Sequence, residues 1–477
     1  MNYRMIKYVL GWILLFEAMF LSVPLITAAV YMEAEFWYFL ATMAVCAAAG
    51  GLLILKKPKD STLYSREGAL IVAFSWITLS IFGALPFYIS GAIPSFLDAL
   101  FETASGFTTT GASILSNVEA LPNCMLMWRS FTHWIGGMGV LVFIMAFLPL
   151  SGAYNMNIMK AESPGPSVSK LVPRVRTTAL ILYCIYITLT VVQFICLLAA
   201  KMEVFDAINT AFATAGTGGF AIKNSGMDGY SPAIQIIVTV FMLIFSINFN
   251  SYYLLIRGKL KEVLNCEVKW FLVVVFVAIG VITLNVRGLF DTTGEAVRHS
   301  AFTVASIIST TGFATKDFNL WPELSRTIIV LLMFVGACAG STGGGFKVSR
   351  FIILFKGMGR EIRRTLHPKK VELVSIDSRP VENRTVLAVG MYLVCYIAVF
   401  ALSAIVLAIE NVPSVTSFTA VSSCLNNIGP GLEQVGPTSN FAFFSPVSKV
   451  VLIFDMLAGR LELFPILILF APATWKK

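Results

Sequence analysis

Charge is what this chain has least of. Only 13% of its 477 residues are Asp, Glu, Lys or Arg, against roughly 25% in soluble domains. Hydrophobic residues make up 57% and the mean hydropathy is +0.81, which excludes a soluble globular protein and makes this a polytopic membrane protein. Histidine is nearly absent: His133, His299 and His367 are too few for a histidine-built metal or haem centre. The eight cysteines (46, 124, 184, 196, 266, 338, 395 and 424) form no CxxC pair, which argues against a zinc site or a disulfide framework. Most lie in apolar segments, as small hydrophobic fillers do. There is no nucleophile paired with a base, no dinucleotide fingerprint and no nucleic-acid module, so neither an enzyme nor a cofactor in this chain is expected. The net charge of +9 comes from basic residues in short loops between apolar runs, which orients a membrane protein and does not bind nucleic acid.

What the chain has is apolar length. About 20 apolar residues span a bilayer as a helix, and such runs occur near 8–31, 36–55, 68–90, 127–150, 177–200, 232–256, 269–287, 325–356, 385–409 and 446–472. The first follows Arg4 and Lys7, is too long for a signal-peptide core, and reads as a retained transmembrane helix. After the third, fifth, seventh and ninth spans come short apolar runs, 96–108, 203–213, 296–308 and 414–425, each leading into a polar turn that contains glycine. These turns are Thr108-Thr109-Thr110-Gly111, Thr214-Ala215-Gly216-Thr217-Gly218-Gly219, Ser309-Thr310-Thr311-Gly312 and Asn426-Asn427-Ile428-Gly429. Non-helical backbone is tolerated at membrane depth only inside protein or around water, so each is expected to be a short helix that enters, turns and returns.

Counting Lys and Arg in alternate loops puts 26 of the 35 on one side. Both termini are then expected in the cytoplasm and the four turns toward the outside. The expected fold is all-α: two introductory helices (1–60), then four pseudo-equivalent units of span, short helix, turn and span around one axis. The unit boundaries are drawn at 61–155, 170–262, 263–365 and 380–477.

Stripping a cation of water needs oxygens that carry partial negative charge without being fixed anions, and backbone carbonyls supply them. Glycine lets a chain hold such carbonyls in a row, and each short helix directs its negative C-terminal end toward the membrane centre. Threonine hydroxyls at 109, 110, 214, 310 and 311, and Asn427, either add oxygens or brace the turns. Glu102, Asp206 and Glu295 fall near the outer mouth, where they are either solvated or concentrate cations.

The residues at these turns resemble the Trk/Ktr/HKT superfamily of potassium transporters, in its TrkH branch. The likeness also rests on Trp134-Ile135-Gly136-Gly137-Met138-Gly139-Val140, Asn248-Phe249-Asn250, Cys424-Leu425-Asn426-Asn427-Ile428-Gly429-Pro430-Gly431 and Gly459-Arg460-Leu461-Glu462. The resemblance implies a potassium-conducting subunit with potassium as substrate. Its filter would be built from Thr109, Thr110 and Gly111, then Thr214, Ala215 and Gly216, then Thr310, Thr311 and Gly312, then Asn427, Ile428 and Gly429. Relatives that favour sodium often carry serine at the first filter glycine, so Gly111 marks the potassium-permeable type. The second turn is richer in glycine than the family pattern. The family also implies a homodimer in the bacterial inner membrane with a cytoplasmic TrkA-type nucleotide-binding ring as partner, for which Lys347 to Arg384 is a basic docking surface. Sodium or mixed cation movement, with or without ion coupling, is the alternative within transport. A membrane-embedded enzyme and a structural scaffold are the alternatives outside it.

The eighth span is interrupted by five glycines in ten residues, Gly336, Gly340, Gly343, Gly344 and Gly345, each costing a helix about 1 kcal/mol relative to alanine. It is not a phosphate-binding loop, because Gly345 precedes Phe346 where that motif needs lysine. It is either a kinked, closely packed helix or, as the family implies, a flexible intramembrane gate. Arg460 in the last span is either ion-paired with Asp455 or Glu462 or, again as the family implies, faces the pore as a barrier to cations.

Overall fold

The computed structural model describes residues 1–56, 58, 64–139, 175–369, 372–377 and 379–475. The far half of the expected fourth span (140–150), the boundaries at 155 and 170 and the basic loop around them lie outside the described residues. The chain opens with α1 (Tyr3–Phe20), α2 (Ser22–Tyr31) and α3 (Phe36–Ile54), and α4 (Ser65–Gly83) runs into the short α5 (Leu85–Ile89). Then come α6 (Phe96–Phe107), α7 (Asn123–Met138), α8 (Val175–Ala199), α9 (Val204–Ala215), α10 (Pro232–Phe245), α11 (Phe249–Ile256), α12 (Leu260–Val263) and α13 (Cys266–Val286). The last part holds α14 (Thr293–Ile308), α15 (Glu323–Val335), α16 (Val348–Leu366), the hairpin β1 (Ser375–Ile376) and β2 (Arg379–Pro380), α17 (Asn383–Ala408), α18 (Ser414–Asn426), α19 (Pro446–Arg460), α20 (Phe464–Phe470) and α21 (Pro472–Trp475).

Six apolar helices among the described residues are long enough to cross a membrane unbroken. Three of the other expected spans are broken. The run 232–256 is two helices, α10 and α11, bent by 91°, with Asn248 accepting from its own downstream amide at Asn250 to start the second. The run 325–356 is split at Gly336, whose φ of 69° no helix continues. The run 446–472 stops after Arg460, where Glu462 and Leu463 both take positive φ ahead of Pro465, which disfavours helix in the residue before it.

The short helices α6, α9, α14 and α18 hold 12, 12, 16 and 13 residues. At about 1.5 Å per residue none bridges a hydrocarbon layer of about 30 Å. Polar residues start several of the helices here: Ser95 accepts from Asp98 N at 3.4 Å, Thr292 from Glu295 N at 3.1 Å and Asn265 from Val268 N at 2.9 Å. Each short helix packs on the helix that follows it and on the corresponding helix of the unit before. Thus α9 lies against α7 and α10, α14 against α10 and α15, and α18 against α15 and α19. The circuit closes where α19 packs on α6, pinned by Lys449 Nζ donating to Asp98 Oδ1 at 2.6 Å. Four quarters of one chain therefore surround one axis, with α1–α3 outside them on the α4 side.

Candidate functional site

Each short helix ends the same way. The amide of Thr110 donates back to Ser105 O, Gly218 to Ala213 O, Thr311 to Ser306 O and Ile428 to Ser423 O, at 2.9, 2.9, 2.9 and 3.0 Å. In all four the residue before takes a left-handed conformation: Thr109, Thr217, Thr310 and Asn427 have φ of 55°, 55°, 60° and 55°. The residue after is a glycine with positive φ: Gly111, Gly219, Gly312 and Gly429, at 79°, 75°, 83° and 105°. This fixes the register. The second turn is Thr217-Gly218-Gly219, three residues later than the sequence placed it.

Thr214 and Ala215 belong to the last turn of α9, where the Thr214 hydroxyl donates to Thr210 O at 2.7 Å. Gly216 is the helix cap with φ of −70°, and it is a glycine for packing: a Cβ there would collide with His133 O.

The four turns interlock in sequence order. A Cβ on Gly111 would strike Gly218 O, one on Gly219 would strike Thr311 O, and one on Gly312 would strike Ile428 O. A Cβ on Gly429 would lie 2.9 Å from Thr110 O, completing the ring. All four glycines line one cavity of about 490 Å³ that opens above them. Among the described residues no hydrogen bond ends on the carbonyl oxygens of Thr110, Gly218, Thr311 or Ile428, although all four residues are buried. Buried carbonyls are rarely left unpaired, and a ring of them can replace a cation's hydration shell.

Side chains brace the ring from behind. Glu102 accepts from Arg129 Nε at 2.8 Å, from Ser113 Oγ at 3.0 Å and from Ile114 N at 3.0 Å. Arg129 also donates to Ala221 O at 3.1 Å and lies 4.1 Å from the Phe220 ring centroid, so one buried ion pair joins the first two turns. His133 Nδ1 meets Gly106 O at 2.7 Å, and its Nε2 accepts from Phe220 N at 3.2 Å. This defines a neutral ring protonated at Nδ1. Asn427 donates to Thr110 Oγ1 at 3.0 Å and to Met456 O at 2.9 Å, so its amide braces two neighbours. Glu102 is thus not at the solvated mouth, whereas Asp206 pairs with Lys223 at 3.1 Å and Glu295 with Arg298 at 3.3 Å.

Beneath the turns lies the segment 336–347, a loop and not a kinked helix. Its first half docks on the break between α10 and α11: Cys338 N donates to Ser246 O at 3.1 Å and Phe249 N to Gly340 O at 3.0 Å. The bent pair exists to receive it, since the carbonyls freed by the break are taken up by the loop. Its second half reaches the ring, where Gly344 N donates to Thr310 Oγ1 at 2.6 Å. A Cβ on Gly343 would stand 2.8 Å from Ser309 O, and one on Gly344 would collide with Asn426 O. The glycines therefore let the loop press against the inner ends of the third and fourth turns.

Arg460 binds this loop to α7. It donates to Thr342 O at 2.8 Å and to Gly136 O and Gly137 O at 2.5 and 2.6 Å. Glu462 pairs with Arg350 and Asp455 accepts from Ser403 Oγ at 2.7 Å. Gly136 and Gly137 are small because α7 crosses the first two turns closely: a Cβ on Gly136 would collide with Phe107 O, and one on Gly137 would lie 2.6 Å from Gly216 Cα.

A helical membrane protein with four such turns closed around an axis is a cation-transport protein, and the comparisons with known proteins agree. The model of the TrkH family, described as cation transport protein, matches residues 37–477. The chain is similar to the Trk system potassium uptake protein TrkH of Escherichia coli strain K12, 36% identical over 486 residues and 100% of both chains. It is also similar to the Trk system potassium uptake protein TrkG of the same strain, 31% identical over 481 residues and 99% of each. Among solved structures it is similar to the potassium transporter TrkH from Vibrio parahaemolyticus, with a TM-score of 0.90, 32% identity and full coverage of both chains. The chain belongs to the TrkH family of cation transport proteins.

Proposed function

We propose that this protein takes up potassium through a single gated conduit formed by its four quarters. The observation that carries this reading is the closed ring in which Gly111, Gly219, Gly312 and Gly429 each abut the next turn's carbonyl. Relatives over the whole chain named as potassium uptake proteins support it. The substrate is potassium, dehydrated by carbonyl oxygens of Thr109–Gly111, Thr217–Gly219, Thr310–Gly312 and Asn427–Gly429. The C-terminal ends of α6, α9, α14 and α18 add negative potential there.

The loop 336–347 is the gate beneath this filter. Arg460 holds it and places a positive charge on the cation path, which raises the barrier to permeation. The segregation of basic residues supports cytoplasmic termini in the inner membrane, with the mouth cavity facing outward. The protein works as a homodimer with one conduit per protomer, and a TrkA-type nucleotide-binding ring docks on the exposed basic residues from Lys356 to Arg384, since Lys347 and Arg350 at the start of the expected stretch are buried. No cofactor is required within this chain.

The test is flux into proteoliposomes under potassium, rubidium, sodium or lithium gradients. Potassium and rubidium should pass at least about tenfold faster than sodium. Equal sodium flux would replace this reading with mixed cation transport.

A further inference from the structure

The half-buried carboxylate of Glu267 stands at the start of α13, at the mouth of the intramembrane loop. One of its oxygens, Oε1, accepts from Ala339 N at 2.7 Å and from Ser349 N at 3.2 Å. Ala339 lies in the loop and Ser349 in the first turn of α16, ten residues further on, so a single oxygen ties the loop to the helix that follows it. The adjacent residue is held from the other direction: Cys266 N donates to Asp377 Oδ1 at 2.8 Å. Asp377 sits at the exposed turn between β1 and β2. The hairpin is itself fastened to α16, since Lys356 Nζ donates to Ser375 O at 2.8 Å, and its base is closed by Val381 N donating to Val374 O at 2.7 Å. Glu267 therefore lies one residue from the point where the cytoplasmic hairpin grips α13.

We propose that Glu267 is the positioning residue that clamps the gate loop, and that the hairpin at Asp377 sets where the clamp stands. An oxygen that accepts two amides at once restrains both of them, and here it opposes movement of the loop away from α16. A pull on the hairpin reaches the loop through two hydrogen bonds and one peptide unit, without moving the filter. The inference rests on the gate reading above. A residue serving only the dipole of α13 would need charge at this position, whereas a clamp needs an acceptor oxygen, and the two are separable by substitution.

The test uses the full-length protein in detergent with Cys338 as reporter and the other seven cysteines replaced by serine. Cys338 is fully buried in the loop, so its rate of reaction with a charged methanethiosulfonate reads the loop's position. E267A should speed labelling at least about tenfold, E267Q should stay within about twofold of the parent, and D377G, placed where φ is 48°, should speed it about threefold. Folded E267A that labels at the parental rate overturns the clamp, and so does E267Q behaving like E267A. Should E267A not fold, parental labelling of D377G overturns the proposal alone. Faster labelling without faster rubidium flux in proteoliposomes leaves the clamp standing and sinks the gate reading.

Discussion

The Gly344 amide donates to the Thr310 hydroxyl at 2.6 Å, so the third turn is bonded through its own side chain to the loop beneath it. The proposed filter and the proposed gate are therefore joined by a direct hydrogen bond. A buried hydrogen bond contributes about 1 kcal/mol, and about 1.4 kcal/mol is a tenfold change in an equilibrium. T310A should raise rubidium flux about fivefold, and T310S, which keeps the hydroxyl, should remain near wild type. Equal flux from both variants would dissociate loop and turn.

Arg460 makes two kinds of contribution that can be separated. R460Q keeps some hydrogen bonding to Thr342 O and Gly136 O but removes the charge, whereas R460K keeps the charge with fewer donors. If the charge dominates, R460Q should increase cation flux about tenfold and R460K only slightly. The reverse order, measured in the same proteoliposomes, would assign the effect to the hydrogen bonds.

The register of the second turn is directly testable. G219A adds a Cβ that meets Thr311 O at a residue with φ of 75°, so it should collapse the potassium-to-sodium flux ratio by at least about tenfold. G216A meets His133 O behind the turn, so it should lower the yield of folded protein and the melting temperature while leaving the ratio of the surviving protein near wild type.

Arg129 and Glu102 are both almost fully buried at 2.8 Å. Removing one member of such a pair strands the other and costs about 3–5 kcal/mol. R129A should therefore melt well below wild type by fluorescence-detected size exclusion. The double variant R129M/E102Q should recover a large part of that loss, and no recovery would mean that the stranded charge is not the cause.

Much of this was legible in the sequence. Spans, short helices, the glycine-rich interruption and the alternation of basic loops all follow from apolar length and charge, and these are local properties. The second turn was misaligned because Thr214-Ala215-Gly216 and Thr217-Gly218-Gly219 both read as threonine, spacer, glycine. Only the end of α9 decides between them, and helix ends are set by tertiary contacts such as that of Gly216 with His133. The break after Phe245 was hidden because Ser246, Ile247 and Asn248 barely interrupt an apolar run. Its cause is a partner about 95 residues downstream. Glu102 with Arg129, and Glu267 with the loop, join residues 27 and more than 70 positions apart, which no periodicity reveals. The one available signal is chemical: a charged residue within an expected span, as Arg129 is in 127–150, needs a partner.

The loop belongs to one quarter alone, hung between α15 and α16, while the other three quarters carry nothing like it among the described residues. On the proposed gating, permeation would be governed by a single hinged flap and not by an iris whose leaves must move in concert. Its opening should then relax with one time constant, and any steepness in the response to a regulator would have to originate outside the loop.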